Sequence, residues 1–486
     1  MTENTTPSVP FEPAAIRQII LGVMLAMLLG AMDQTIVAPA LPTIGREFGD
    51  LERLPWVVTA YLLSATAVTP LYGKLSDIHG RRAMLLVSVA VFLIGSVLCA
   101  LATSLPTLIF ARFVQGLGGG GLIALPQTIV GDLVSPRDRP RYQSYLAAVF
   151  MTSSIVGPVV GGLFAEHLQW SLIFWINLPL GALALAMMWN QLRRLPQNHR
   201  PHSLDVIGAV LMITATTALL LALSWGGQAY AWGSFEVLGL LAGSAIAFIF
   251  FVMRLMTAKE PFVPLTVLLN PVVAAGVTAS FFAVGAMVGL SIYVPIYFEA
   301  VRGLSASNSG LFLMALMTGT VVGAVISGRV MGYTPHYKRT PMVGVAVAVL
   351  ATAAMALWGN SLSLFWFEVL LAFVGIGLGT QFPVMTVGVQ NAVLTHELGT
   401  ATANLNFFRS LGSAVLVAAY GAIFLGALGA SGTEIGDLDV LAAEAARNGR
   451  DLGAVFEIVF AAASVSLAIA YVGLIFMKEL PLRGRT

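Results

Sequence analysis

Long apolar runs of about twenty residues recur along this chain, each ended by a short polar or charged stretch, and they predict membrane-crossing helices. Fourteen are counted, at 17–40, 55–73, 84–103, 106–130, 142–165, 170–190, 205–225, 235–257, 271–298, 307–330, 341–359, 362–385, 400–428 and 455–477. No stretch alternates polar and apolar residues over about ten positions, so a β-barrel is excluded. The link between the second and third runs, Gly73-Lys74-Leu-Ser-Asp77-Ile-His-Gly80-Arg81-Arg82, is a charged island so short that its flanking helices must be antiparallel neighbours. The longest polar segment, 429–454, carries Glu434, Asp437, Asp439, Glu444 and Asp451. It reads as a solvated loop, with Val440–Arg447 able to form a short surface helix.

Composition agrees with the pattern: 58% of the 486 residues are hydrophobic and 10% charged, against about 25% charged in soluble domains. The net charge of +2 says little; the distribution says more. With the N-terminus inside, eighteen Lys and Arg fall in cytoplasmic segments and five in external ones, and Arg112 and Arg409 fall within spans. That asymmetry predicts cytoplasmic termini in a plasma (bacterial inner) membrane. The first fifteen residues lack a basic region, so the first span is expected to be retained rather than cleaved as a signal peptide. The single cysteine, Cys99, excludes a disulfide framework or thiolate metal site within one chain. No G-x-x-x-x-G-K-[ST] phosphate loop is present, which excludes ATP-driven transport on this chain. No catalytic residue, metal site, cofactor or nucleic-acid partner is expected. Trp56, Trp170, Trp232 and Trp358 sit at span ends and read as an interfacial belt.

Charges inside spans carry the candidate chemistry. Asp33, within Ala31-Met-Asp-Gln-Thr-Ile-Val-Ala-Pro-Ala-Leu-Pro42, costs a few kcal/mol in the membrane unless it pairs, faces a polar cavity or takes a proton. It is either a structural partner or a proton site, and a mobile arginine beside it would switch its protonation. Arg112 is the candidate cation. It lies about 9 Å, and Asp33 about 13 Å, below the same outer face at the helical rise, so the two depths are compatible; snorkelling to the interface is the plainer alternative for Arg112. Gly157-Pro158-Val-Val-Gly161-Gly162 in the fifth span combines small residues for close helix approach with a proline that bends or pivots the helix. Arg409, near the midplane of span 13, has no acidic neighbour in its own span. It lines a cavity or pairs across helices. Gln34, Gln115, Asn404, Asn406 and Glu368 complete the candidate substrate cavity, although amides in membrane helices are commonly helix glue and Glu368 lies close to the outer end of its span.

These motifs together resemble the fourteen-span drug:proton antiporters, the QacA/EmrB-like branch of the major facilitator superfamily. The matching residues are Asp33-Gln34-Thr-Ile-Val with Ala40-Leu-Pro42, the 73–82 loop, Arg112-x-x-Gln115-Gly-x-Gly, Gly157-Pro158 to Gly162, and Gln390-Asn-Ala-Val through Arg409-Ser-Leu-Gly412. The resemblance covers residues 17 to 478 and implies an all-α membrane protein of fourteen helices. These would comprise a six-helix half at 17–193, a linker with two extra helices at 194–260 and a second half at 261–478, flanked by tails 1–16 and 479–486. It implies that Asp33 and Arg112 take part in proton coupling. It also implies that Gly73, Lys74, Asp77, Gly80, Arg81 and Arg82 gate the cytoplasmic side, Asp77 with Arg81 helping to lock the outward-open state, and that Gly157 to Gly162 mark an exchanger. Two departures stand out. Ala38-Pro39 replaces a small polar residue common in relatives, and the second-half counterpart of the loop, Gly328-Arg329 to Lys338-Arg339, has no acid where Asp77 sits.

The function expected is export of small amphiphilic compounds by alternating access in a monomer, powered by the proton gradient and surrounded by membrane lipid. A periplasmic adaptor protein is compatible with this if the organism has an outer membrane, but nothing in the chain demands one. Two alternatives stay open: a dedicated exporter of one physiological cargo, such as a lipid, siderophore or metabolite, and a non-transporting receptor or assembly component on the same scaffold.

Overall fold

A computed structural model of the chain describes residues 13–50, 53–189, 204–227, 229–334, 336–429 and 447–482. Most of the expected surface helix at Val440–Arg447, most of the N-terminal tail and half of the C-terminal tail lie outside these residues. Among them the only regular structure is helical: α1 (Pro13–Ile36), α2 (Leu41–Phe48), α3 (Trp56–His79), α4 (Arg81–Ala100), α5 (Leu105–Leu133), α6 (Arg139–His167), α7 (Leu172–Trp175), α8 (Asn177–Trp189), α9 (Val206–Trp225), α10 (Phe235–Thr257), α11 (Leu265–Leu268), α12 (Pro271–Ala300), α13 (Ala306–Tyr333), α14 (Arg339–Trp358), α15 (Leu364–Asn391), α16 (Leu398–Leu428) and α17 (Leu452–Phe476).

Twelve helices among the described residues are long and apolar enough to cross a membrane, not the fourteen the hydrophobic pattern predicts. The two expected spans that fall short do so for different reasons. Helix α3 has the length, but Thr59, Ser64, Thr66, Thr69 and Pro70 dilute its apolarity. The span expected at 170–190 is interrupted between Trp175 and Asn177, leaving the short α7 and α8. Trp170, read as an interfacial residue, is instead core: it is buried and its indole N–H donates to Glu47 at 2.7 Å.

The chain divides into two compact units. The first comprises the described residues within Met1–Val134, Thr152–Leu204 and Thr395–Ala403, and the second those within Ser135–Met151, Asp205–Leu394 and Asn404–Thr486. Each is built around one glycine-rich helix. In the first unit this is α5, begun by a capping box between Ser104 and Thr107. Its Gly118 lies so close to α4 that a Cβ would meet the Phe92 backbone at 2.3 Å, and its Gly120 so close to α3 that a Cβ would meet the Ala65 carbonyl at 2.5 Å. In the second unit α15 plays that part: Gly375 and Gly379 abut the α13 backbone at Leu316 and Thr320, and Gly377 abuts α14 at Gly344. Backbones brought this near gain dispersion contacts that larger residues would prevent, which matters where lipid removes the hydrophobic drive for helix association.

Helices α9 and α10 belong to the second unit and are tied by Arg254 Nε to Asp205 Oδ1 at 3.0 Å, the same carboxylate that caps α9 through the Gly208 N–H. Elsewhere in that unit Tyr297 stacks on Phe367 at 5.1 Å and meets Phe456 and Phe460 edge-on, forming an aromatic core.

Candidate functional site

Asp33 and Arg112 meet in the core of the first unit. The Arg112 Nη1 donates to Asp33 Oδ2 at 2.6 Å, and the two side chains are 0% and 1% exposed. Gln115, one turn along α5 from Arg112, bridges them. Its Nε2 donates to Asp33 Oδ1 at 2.8 Å and to Ser96 Oγ at 2.8 Å, while its Oε1 accepts from Arg112 Nη1 at 2.7 Å. Asn177, at the start of α8, adds an N–H to Asp33 Oδ1 at 3.4 Å and one to Ser96 Oγ at 3.0 Å. Arg112 is further held by its Nε–H to the Val57 carbonyl at 3.0 Å and lies 4.3 Å from the centre of the Tyr61 ring. Residues of five helices thus meet in one cluster, with α5 and α8 reaching the Asp33 carboxylate directly, and all the contacts stay within the first unit. One polar atom in this cluster, Asn177 Oδ1, is buried with no hydrogen-bond partner among the described residues, and the buried Tyr61 hydroxyl lies next to Gln34.

The glycines of the 157–162 motif prove to be unequal. Gly157 and Gly161 press α6 against α1 beside Asp33, where a Cβ would meet Thr35 Oγ1 at 2.0 Å and the Ile36 carbonyl at 2.2 Å. Thr35 Oγ1 donates across the same contact to the Ser153 carbonyl at 2.9 Å. Gly162 meets nothing within 4 Å, and Pro158 is exposed.

The 73–82 residues form a second polar cluster. Gly80 ends α3 with φ +89°, a conformation that favours glycine, and so lets α4 start at once. Arg81 pairs with Asp77 and, through Nε, with Asp132 Oδ2 at 2.8 Å at the end of α5. Asp77 also accepts from the backbone N–H groups of Gly399 and Thr400, at 3.0 and 2.7 Å, and from the Thr400 hydroxyl at 2.6 Å. A carboxylate on the first N–H groups of α16 is stabilised by unpaired donors and by the helix dipole. Gly73 allows the approach, since a Cβ there would lie 2.6 Å from the Gly399 carbonyl. Lys74 is largely buried and makes no hydrogen bond among the described residues, and Arg82 is half-buried.

The tentative cavity residues do not form one group. Gln115 belongs to the Asp33–Arg112 cluster. Gln34 is half-buried next to the Tyr61 hydroxyl, and Glu368 is half-buried four residues into α15. Arg409 is buried in the second unit, where Nη2 donates to Thr386 Oγ1 at 3.2 Å and the guanidinium lies 5.4 Å from the Phe382 ring centre. Asn404 and Asn406 are buried on the same helix.

Sequence reading missed Ser96, Asn177, Tyr61, Asp132 and Thr400. Asn177 and Asp132 carried a usable signal, being an amide inside an apolar run and an acid at a span end. Tyr61, Ser96 and Thr400 carried none, because such residues are ordinary in membrane helices.

Comparison with known proteins places the family. The Major Facilitator Superfamily profile matches residues 23–417, and the chain belongs to that superfamily, whose members are transporters and not enzymes. It is 33% identical to the multidrug transporter protein MdtP of Bacillus subtilis, over 83% of this chain and 74% of that protein. It is 31% identical to multidrug resistance protein 3 of the same organism, over 85% of this chain and 80% of that protein. An uncharacterized MFS-type transporter of Mycobacterium tuberculosis is 37% identical over 85% of this chain, which spans only 60% of that protein's length. Among solved structures, a bacterial homologue of the iron transporter ferroportin shares the fold with a TM-score of 0.64 at 13% identity, covering 95% of this chain and 98% of that one. The proton:xylose symporter XylE gives 0.60 at 15% identity, covering 94% and 95%. The protein is a member of this superfamily, helical throughout its described residues and with twelve helices there long and apolar enough to cross a membrane.

Proposed function

We propose that the chain exports amphiphilic compounds across the plasma membrane in exchange for protons, with Asp33 as the proton-accepting group and Arg112 as its switching partner. The single observation that carries this reading is the Asp33–Gln115–Arg112 cluster. Breaking a buried ion pair costs about 3–5 kcal/mol when one charge is stranded. Here Arg112 would not be stranded when Asp33 takes a proton, because the Val57 carbonyl, Gln115 Oε1 and the Tyr61 ring continue to hold it. The carboxylate therefore has two states, paired and protonated, that differ by local rearrangement only. The unpartnered Asn177 Oδ1 offers a polar contact for a proton-delivering water. The names of the two Bacillus relatives support a drug-like cargo.

The reading extends to the fourteen-span branch, with cytoplasmic termini: α3, at 24 residues, is long enough to cross despite its polar content, and α7 with α8 would make one broken span. The decisive experiment is ethidium uptake into everted membrane vesicles under an imposed pH gradient, comparing wild type with Asp33→Asn at equal, monodisperse expression. Asparagine keeps an acceptor for Arg112 but cannot cycle a proton, so gradient-driven uptake should fall to the level of empty vesicles. Uptake unchanged in Asp33→Asn would remove Asp33 from coupling.

A further inference from the structure

Arg409 stands in contrast to Arg112. A guanidinium stays protonated at every physiological pH, so position 409 carries a fixed positive charge with 8% of its surface exposed. Its Nε is buried with no hydrogen-bond partner, and its one side-chain hydrogen bond goes to Thr386 Oγ1. Thr386 is itself satisfied, donating to the Phe382 carbonyl at 3.0 Å. It therefore fixes the orientation of the guanidinium without neutralising it.

No carboxylate among the described residues pairs with this cation. Asp33 is already committed to Arg112, Gln115 and Asn177. Glu368 shares α15 with Thr386 but lies eighteen residues before it, about 27 Å at the helical rise. An unpaired charge within a membrane span costs a few kcal/mol and persists where it serves a ligand or a pathway. The vacant donors of a guanidinium are arranged as a planar fork that fits the two oxygens of a carboxylate, sulfonate or phosphate. The Phe382 ring beside it suits the apolar body attached to such an acid.

We infer that Arg409, oriented by Thr386 and flanked by Phe382, is a binding site for the acid group of an anionic amphiphile, so that the cargo, or a lipid occupying the same place, presents an oxyanion to this helix. This deepens the export reading by naming the cargo's charge, and rests on that reading only for calling the ligand a cargo. The same chemistry is available from an anionic lipid headgroup, and the test separates the two.

The test measures equilibrium binding to the full chain in phosphatidylcholine nanodiscs, by energy transfer from tryptophan to a dansyl group, after subtraction of empty discs. The probes are 11-(dansylamino)undecanoic acid and its methyl ester, which share an apolar body and differ in charge. Wild type should bind the acid about tenfold more tightly than the ester, a difference typical of one charge-assisted contact. Arg409→Gln should bring the acid to the ester's affinity and leave the ester unchanged, which also shows that the variant is folded; Arg409→Lys should retain part of the preference. If Arg409→Gln does not fold, the acid–ester comparison in wild type and Arg409→Lys still decides. Displacement of the acid by phosphatidylglycerol added to the discs would assign the site to a lipid headgroup, and persistence of the acid would assign it to cargo. Equal binding of acid and ester by wild type, or an acid preference that survives Arg409→Gln, would overturn the inference. Because binding is measured without a gradient, failure of proton-coupled uptake would sink the export reading and leave this result standing.

Discussion

Gln115 shows what a single residue contributes that its neighbours in sequence conceal. Read in isolation it is an amide in an apolar helix, suited equally to a cavity wall or to helix glue. In the folded protein it uses both ends of its amide at once, donating to Asp33 and Ser96 and accepting from Arg112. Gln115→Leu conserves much of the volume while leaving Asp33 and Arg112 each short of a bond. The expected loss is about 1–3 kcal/mol, read as a lower thermal midpoint in detergent, together with weakened coupled uptake. A variant with wild-type midpoint and uptake would show that the bridge is dispensable. Asp33 and Arg112 were legible from their sequence as in-span charges at matching depths. The bridging residues were not, because hydrogen-bond partnership among polar residues on α1, α4, α5 and α8 depends on helix rotation, which no single span's composition records.

At the level of elements, the same motif residue type performs the same work at positions four apart and different work at adjacent ones. Gly157 and Gly161 sit where α6 touches α1, and Gly162 does not. A methyl group at Gly157 must displace Thr35 or the helix itself, and overpacking of this kind costs about 1–3 kcal/mol. Gly157→Ala should therefore lower both stability and transport, whereas Gly162→Ala should leave both within error, as measured by melting and dye uptake on the same preparations. Equal effects at the two positions would mean that helix flexibility, rather than the α1–α6 contact, is what the motif supplies. The span pattern itself was legible to within a few residues for most helices, because long apolar stretches leave little alternative. It parts from the twelve apolar helices at two places for two reasons: Thr, Ser and Pro dilute α3, and a break between Trp175 and Asn177 divides 170–190, neither of which a run of mostly apolar residues reveals.

For the molecule as a whole, the question is what Asp77 holds closed. Its carboxylate takes Arg81 on one side and the Gly399 and Thr400 backbone on the other, so that α3, α4 and the first turn of α16 share one charge. Residues 395–403 belong to the first unit, while α16 continues from Asn404 in the second. A segment held by one compact unit while its helix runs into the other is well placed to respond when an alternating-access cycle changes state. On the export reading, with the 73–82 loop cytoplasmic, Asp77→Asn would weaken the charge-assisted bonds at α16 and leave Arg81 with Asp132. The loss of about 1.5–3 kcal/mol corresponds to about a tenfold or greater shift between two states. Cys99, the chain's single cysteine, is buried, which keeps the background low for a thiol-labelling assay. With a reporter Ala403→Cys, buried beside Gly73 in the present structure, a membrane-impermeant maleimide applied to everted vesicles should react about tenfold faster in the Asp77→Asn background than with Asp77 intact. An unchanged rate would mean that Asp77 braces the helix ends without governing access, and that the conformational lock is formed elsewhere.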